Sequence, residues 1–425
     1  MLPCKLLQKL ARAQRRCLAG YSFECIKQFR GSFQGAPFLF ILGANPLYLK
    51  QRFYSLDVFR GATVAFMILV NNPGSWSYIY APLEHAPWHG CTPTDLVFPF
   101  FLFAVGNALA FVMPRLQEAG DGIFLRKVFT RALLIFGIGL FLNWFPFVKW
   151  SGDHLVFKAW AEPGQPGGVP GGVRILGVLQ RIALAYLFAS LIIYYGKMRV
   201  ALVTGFVILL GYWAMCLLAG APGDPYSLQG YFGTAIDKAV LGIAHMYKGE
   251  GVPFDPEGIA STLPAIVQVI FGYLAGHYIL QKGKTYEMIA GLFVTGCLLI
   301  FTGFCWDMLF PINKKIWSSS FVVYTTGLAI LVLCVLMYVI EMRGVRGWWS
   351  RFFDVFGKNA LFIFMISGIL PRLYGLLRVS GWTYTHFFSP VFGPLNGSLL
   401  DAVSTVLTFW LLAYLLDRKK IYIKV

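Results

Sequence analysis

The chain has 425 residues, of which 57% are hydrophobic, 17% aromatic and 13% charged, and its formal net charge is +17. Soluble domains carry about 25% charged residues. This composition, with a mean hydropathy of +0.65, therefore excludes a disordered chain, a nucleic-acid-binding domain and an ordinary soluble enzyme.

A basic excess on so apolar a chain fits a polytopic membrane protein that gathers Lys and Arg on its cytoplasmic loops. Residues 1–50 are basic, with Glu24 as the only acid. Their apolar run at 36–44 is too short to span a bilayer. They are expected to form a cytoplasmic or poorly ordered tail, and residues 51–425 the transmembrane domain. A span needs about 20 mainly apolar residues to cross a ~30 Å core. Ten runs qualify, at about 55–73, 94–114, 128–147, 174–195, 200–219, 262–281, 287–305, 319–340, 357–377 and 399–416. Lipid leaves helices or closed barrels as the only spanning structures, and these runs are too long and uniform for barrel strands. The expected fold is all-α, a polytopic membrane protein with about ten transmembrane helices.

With the N-terminus inside, about 26 basic residues fall on the inner side and about nine on the outer. Both termini are then cytoplasmic, and the long loops at about 74–93, 148–173 and 220–261 lie outside. The eight cysteines show no CxxC pair or regular spacing, so neither a disulfide framework nor a zinc ribbon is expected.

Ionisable residues inside spans point to function. In the first run Asp57 and Arg60 are i,i+3 neighbours, and Asn71 lies 11 residues beyond Arg60. That is almost three full turns, so Arg60 and Asn71 share a face about 16 Å apart along the axis. Next, His85 and His89 stand four apart at an outer boundary, with Pro87 and Gly90 interrupting any regular helix, and no third metal ligand stands out. Asp95 follows Thr94 at the mouth of the second span. It either caps that helix or orients an imidazole. The fourth span opens with Arg174 and carries Gln180 and Arg181, the two arginines sharing a face at seven residues. Arg181 is deep enough to need a partner, either an acid such as Asp57 or Asp95, or a phosphate. Two further polar segments precede the sixth and eighth spans, one with Asp255 and Glu257, the other with Asn313, Lys314 and Trp317. Both lie on the His85 side and are candidate walls of one pocket.

The chain resembles the transmembrane heparan-alpha-glucosaminide N-acetyltransferases, including bacterial homologues, which are related to the membrane acyltransferase-3 proteins. The resemblance rests on residues 55–61, Val70-Asn71, His85-Ala86-Pro87-Trp88, Thr94-Asp95-Leu96-Val97-Phe98-Pro99, residues 174–181, Asp255-Pro256-Glu257-Gly258 and residues 311–318, in one order from about 52 to 416. It implies an enzyme that uses cytosolic acetyl-CoA to acetylate an amino sugar across the membrane. By position, His85 corresponds to the catalytic histidine and Asn71 to the catalytic asparagine, with Asp95 beside them. Asp57, Arg60, Gln180 and Arg181 are the expected acetyl-CoA residues. Asp255, Glu257, Asn313, Lys314 and Trp317 are the expected acceptor residues. No metal is expected.

The chemistry agrees with these residue types. Acyl transfer to an amine requires removal of a proton, which suits a histidine. The imidazole could instead carry the acetyl group itself, and an amide could donate to the developing oxyanion. The expected partners are acetyl-CoA, an amino-sugar or glycan acceptor, the lipid bilayer and a second copy of the chain, with no nucleic acid. The expected location is a bacterial inner membrane. Two other readings stand beside this one: an O-acetyltransferase of cell-envelope glycans, and a ten-helix sugar or ion transporter using Asp57, Arg60, Asp95 and Arg181 as a relay.

Overall fold

The computed structural model describes residues 53–162 and 169–423. The tail expected over residues 1–50 lies outside the described residues. Helices dominate: α1 (Tyr54–Asn71), α2 (Val97–Ala119), α3 (Asp121–Trp144), α4 (Val178–Ala219), α5 (Gly233–Val240), α6 (Ile259–Lys282), α7 (Tyr286–Asp307), α8 (Ser319–Met337), α9 (Trp348–Lys358), α10 (Ala360–Leu376) and α11 (Pro394–Arg418). Two small antiparallel pairs interrupt them, β1 (Val148–Ser151) with β2 (His154–Phe157) and β3 (Ala161–Glu162) with β4 (Gly171–Gly172). These hairpins fall in the loop expected at about 148–173.

Among the described residues six helices are long and apolar enough to cross a bilayer, or seven if α9 and α10, bent by 80°, form one span. The protein is an all-α integral membrane protein, but this measure does not reach the expected ten. The reasons are local. The fourth and fifth expected spans are one helical run of 42 residues, and two expected spans carry charge. Those are α1, with Asp57 and Arg60, and α3, with Asp121, Arg126, Lys127 and Arg131.

The 42-residue run is broken at Lys197, whose φ of 55° and ψ of −171° are not helical. Its halves fold back on each other. Arg181 in the first half lies over the Trp317 ring, and Tyr212 in the second donates to the carbonyl of Ile316. The fourth helix also starts later than expected. Arg174 lies in the extended stretch before Val178, so it does not share a helical face with Arg181.

Glycines set the closest helix crossings. A Cβ on Gly106 of α2 would sit 1.9 Å from the Val269 carbonyl oxygen, and one on Gly272 of α6 2.1 Å from that of Phe103. At Gly61 the same atom would lie 1.7 Å from the Phe353 carbonyl oxygen. Small residues let helix backbones approach this closely in membranes. The lipid-facing sides keep exposed apolar groups such as Leu133, Leu218 and Phe301.

The two ends of the bundle differ chemically. At one end Glu341 accepts from the Ser55 amide at 3.0 Å and pairs with Lys284 at 2.7 Å and Arg346 at 3.5 Å, near the start of α1. The other end holds His85, Asp95, Asp255 and residues 311–318.

Candidate active site

The site at the second end is built from three loops. The first follows α1 and carries His85. Its continuation, Pro93 to Leu96, is a single 3-10 turn leading into α2. Thr92 and Asp95 form a capping box there, with Pro93 in the first turn. The Asp95 Oδ2 accepts from the Thr92 amide at 3.0 Å, the Thr92 hydroxyl at 3.1 Å and the Ala86 amide at 3.1 Å. Its Oδ1 lies 2.7 Å from the His85 Nδ1. Asp95 therefore performs both roles that the sequence left open: one oxygen caps the helix and the other orients the imidazole.

The second loop is residues 311–318, whose backbone seats the first. Gly90 donates to the Ile312 carbonyl at 2.7 Å and bridges to Asn313. Asn313, fully buried, accepts at Oδ1 from the Ile316 amide at 3.0 Å. Its Nδ2 lies 3.4 Å from the His89 Nδ1. Trp317 is 1% exposed and takes a left-handed φ of 51°, a costly conformation for a bulky residue outside a tight turn. Lys315 donates to the Pro87 carbonyl at 2.7 Å and pairs with Glu250 at 2.6 Å. Lys314 reaches the centre, 3.1 Å from the His85 Nδ1 and 3.4 Å from the Asp95 Oδ1.

Both neighbours contend for the Nδ1 of His85. The shorter contact is to a carboxylate, and an N–H to an ionised acceptor is the stronger bond. An N–H at Nδ1 donates to Asp95 on this geometry. The His85 side chain is 45% exposed.

The third loop precedes α6. Arg174 binds Asp255 with Nε to Oδ2 at 3.1 Å and a second nitrogen to Oδ1 at 2.5 Å, and also pairs with Glu257. Burial would raise the Glu257 pKa, but Arg174 and Arg181 outweigh it and hold the carboxylate below its ordinary value. Arg181 is 1% exposed, donates to the Gly258 carbonyl at 3.2 Å and to the Ser261 hydroxyl, and has two guanidinium nitrogens without hydrogen-bond partners among the described residues. It pairs with neither Asp57 nor Asp95, and it lies at the His85 end.

A separate cavity of ≈ 230 Å³ opens beside the start of α1, lined among others by Phe53, Asp57, Arg60, Phe103, Asn107 and Phe111. Arg60 pairs with Asp57 at 2.8 Å and donates from Nε to the Gly357 carbonyl at 2.8 Å. Asn107 is 3% exposed, yet its side-chain oxygen and nitrogen make no hydrogen bond among the described residues. Of the expected acetyl-CoA residues, Asp57 and Arg60 line this cavity and Arg181 and Gln180 do not. Gln180 donates to the Ile175 carbonyl at 2.9 Å and packs against Gly139. Of the expected acceptor residues, Asp255, Asn313 and Trp317 are buried supports, while Lys314 and Glu257 keep partly exposed side chains of 22% and 12%. Asn71 is exposed at the end of α1, and no hydrogen bond joins it to His85 among the described residues.

Sequence reasoning missed Thr92, Lys315, Glu250 and Asn107. Asn107 could have been found, as a polar residue in the middle of an apolar run. The pairing of Lys315 with Glu250 could not, since 65 residues separate them.

The chain is similar to heparan-alpha-glucosaminide N-acetyltransferase from Homo sapiens, 25% identical over 431 residues that cover 89% of this chain and 60% of that protein. It is also similar to the Mus musculus protein of the same name, 24% identical over 88% of this chain and 61% of that protein. The chain is similar to these proteins over most of its own length. It spans about three fifths of the length of these relatives. No family model matches it.

Proposed function

We propose that the chain is a transmembrane acetyltransferase that moves the acetyl group of acetyl-CoA to an amino-sugar acceptor, with donor and acceptor entering from opposite faces. The observation that carries this reading is the His85–Asp95 pair at 2.7 Å, with an exposed imidazole on a carboxylate that backbone amides fix in place. The similarity to proteins named heparan-alpha-glucosaminide N-acetyltransferase supports an acyl-transfer chemistry for it.

Acetyl transfer to an amine requires a neutral nitrogen. The Nε2 of His85 is the atom that takes the acceptor's proton, Asp95 stabilises the imidazolium that forms, and the departing thiolate of CoA is protonated in turn. The Asn71 amide, without a hydrogen bond among the described residues and on the chain that leads to His85, is the donor for the developing oxyanion. The donor enters at the Arg60 end. Arg60, 32% exposed, supplies positive charge for the nucleotide phosphates, and the unpaired Asn107 amide fits the amide groups of the pantetheine arm.

The membrane is crossed ten times in this reading. The two halves of α4 make two crossings, the bent α9–α10 pair makes one, and α1 and α3 add two to the five other apolar helices. The basic end with Lys284, Arg346 and Arg60 faces the cytosol, as do both termini.

The test is acetyl transfer from acetyl-CoA to glucosamine-type acceptors by detergent-purified protein. His85→Ala is expected to lower turnover by about 10²–10⁴-fold while acetyl-CoA still binds, and His89→Ala to retain most of it. Near wild-type turnover in His85→Ala would remove the assignment and favour transport.

A further inference from the structure

The Asp95 carboxylate is shared. Its Oδ1 faces both the His85 Nδ1, at 2.7 Å, and the Lys314 ammonium, at 3.4 Å, and that ammonium is 3.1 Å from the same Nδ1. We propose that Lys314 is a positioning residue for His85: its ammonium, set against the shared Asp95, disfavours a second cation on the imidazole and keeps Nε2 free to accept a proton. This assignment rests on the reading of His85 as the working imidazole.

A lone buried carboxylate beside a histidine stabilises the imidazolium and would keep the ring charged. A fixed ammonium at the same oxygen opposes that effect, because protonating the ring would place two cations about 3 Å apart. The ammonium is fixed because its loop is fixed. Lys315 is tied to Glu250 and the Pro87 carbonyl, Asn313 and Ser318 close the turn on itself, and Gly90 is bridged to Asn313. The strained backbone at Trp317 belongs to the same turn.

The other titratable groups near this trio are few. Cys91 lies beside Asp95 and Lys314, and burial pushes its thiol up to about 12, so it adds no charge. Burial lowers the Lys314 pKa, while Asp95 and Glu257, the latter paired with Arg174, oppose that and favour its ammonium. Glu84 and His89 flank His85 on its own loop, and Lys315 is held by Glu250.

The readout is the pH dependence of His85 modification by diethyl pyrocarbonate, which acylates only the unprotonated ring, followed by peptide mass mapping. It requires no acetyl transfer, so it stands or falls apart from the proposed activity. Lys314→Met is expected to move the half-reactive pH of His85 upward by about one unit, and Lys314→Arg to leave it near the wild-type value. Lys314→Gln gives the same reading if the Met variant does not fold. In the turnover assay the acidic limb should move with it. An unmoved modification profile in the neutral variants overturns the proposal, and if the KM for acceptor rises at the same time Lys314 is a substrate contact instead. An equal shift in Lys314→Arg also overturns it, since charge would then not be the cause.

Discussion

A single carboxylate shows how closely cap and chemistry are joined at the residue scale. Asp95 is 1% exposed and spends one oxygen on three donors of its own loop and the other on His85. Asp95→Asn keeps the shape but removes the charge that stabilises the imidazolium. Turnover is expected to fall by about 10²–10⁴-fold while circular dichroism stays that of the parent. A second acid gives a pH prediction. Asp237, on α5, accepts the Ile259 amide at 2.8 Å and so caps α6 from outside it. Burial raises its pKa to about 6. The folded state then holds this proton more tightly than the unfolded chain, so the stability it contributes is fully present below the unfolded carboxylate pKa and is lost as pH rises through about 6. Asp237→Asn should therefore raise the melting temperature at pH 7.5 more than at pH 4.5, read by intrinsic fluorescence in detergent.

At the scale of elements, two contacts decide where the functional groups stand. The turn over residues 311–318 carries Lys314 to His85, and no periodicity in its sequence announces that pairing. The crossing of α1 with α9 fixes Arg60, whose Nε donates to the Gly357 carbonyl. The two backbones meet there because Gly61 and Gly357 have no side chains, and a Cβ on Gly357 would lie 2.2 Å from the Asp57 carbonyl oxygen. Gly61→Ala should push α1 off α9 and cost about 1–3 kcal/mol of stability, with weaker acetyl-CoA binding through the displaced Arg60. Gly137→Ala, at a helix position with open space around it, should be neutral in the same thermal melts.

On the scale of the whole molecule, the expected orientation puts the hairpin of β1 and β2 on one face and the segment between α8 and α9 on the other. Asp153, at the hairpin tip, has a side chain that is 94% exposed, and Val345 is 51% exposed. In intact cells a membrane-impermeant maleimide should label Asp153→Cys and leave Val345→Cys unmodified until the membrane is opened. Labelling in the reverse order would invert the topology and with it the assignment of donor and acceptor faces. The sequence by itself determined the fold class, the apolar runs and the polar stripe of α1, because each of these depends on residue type and local spacing, whereas the grouping of His85, Asn71 and Asp95 came only from the resemblance to the N-acetyltransferases and stands as a proposal. Only the tertiary structure decided that Arg181 and Arg60 stand at opposite ends of the bundle, that Arg174 belongs to the acids before α6, and that Lys314 touches the imidazole. Those facts depend on a chain reversal at one non-helical residue, Lys197, and on contacts between segments as much as 229 residues apart, which no local pattern encodes.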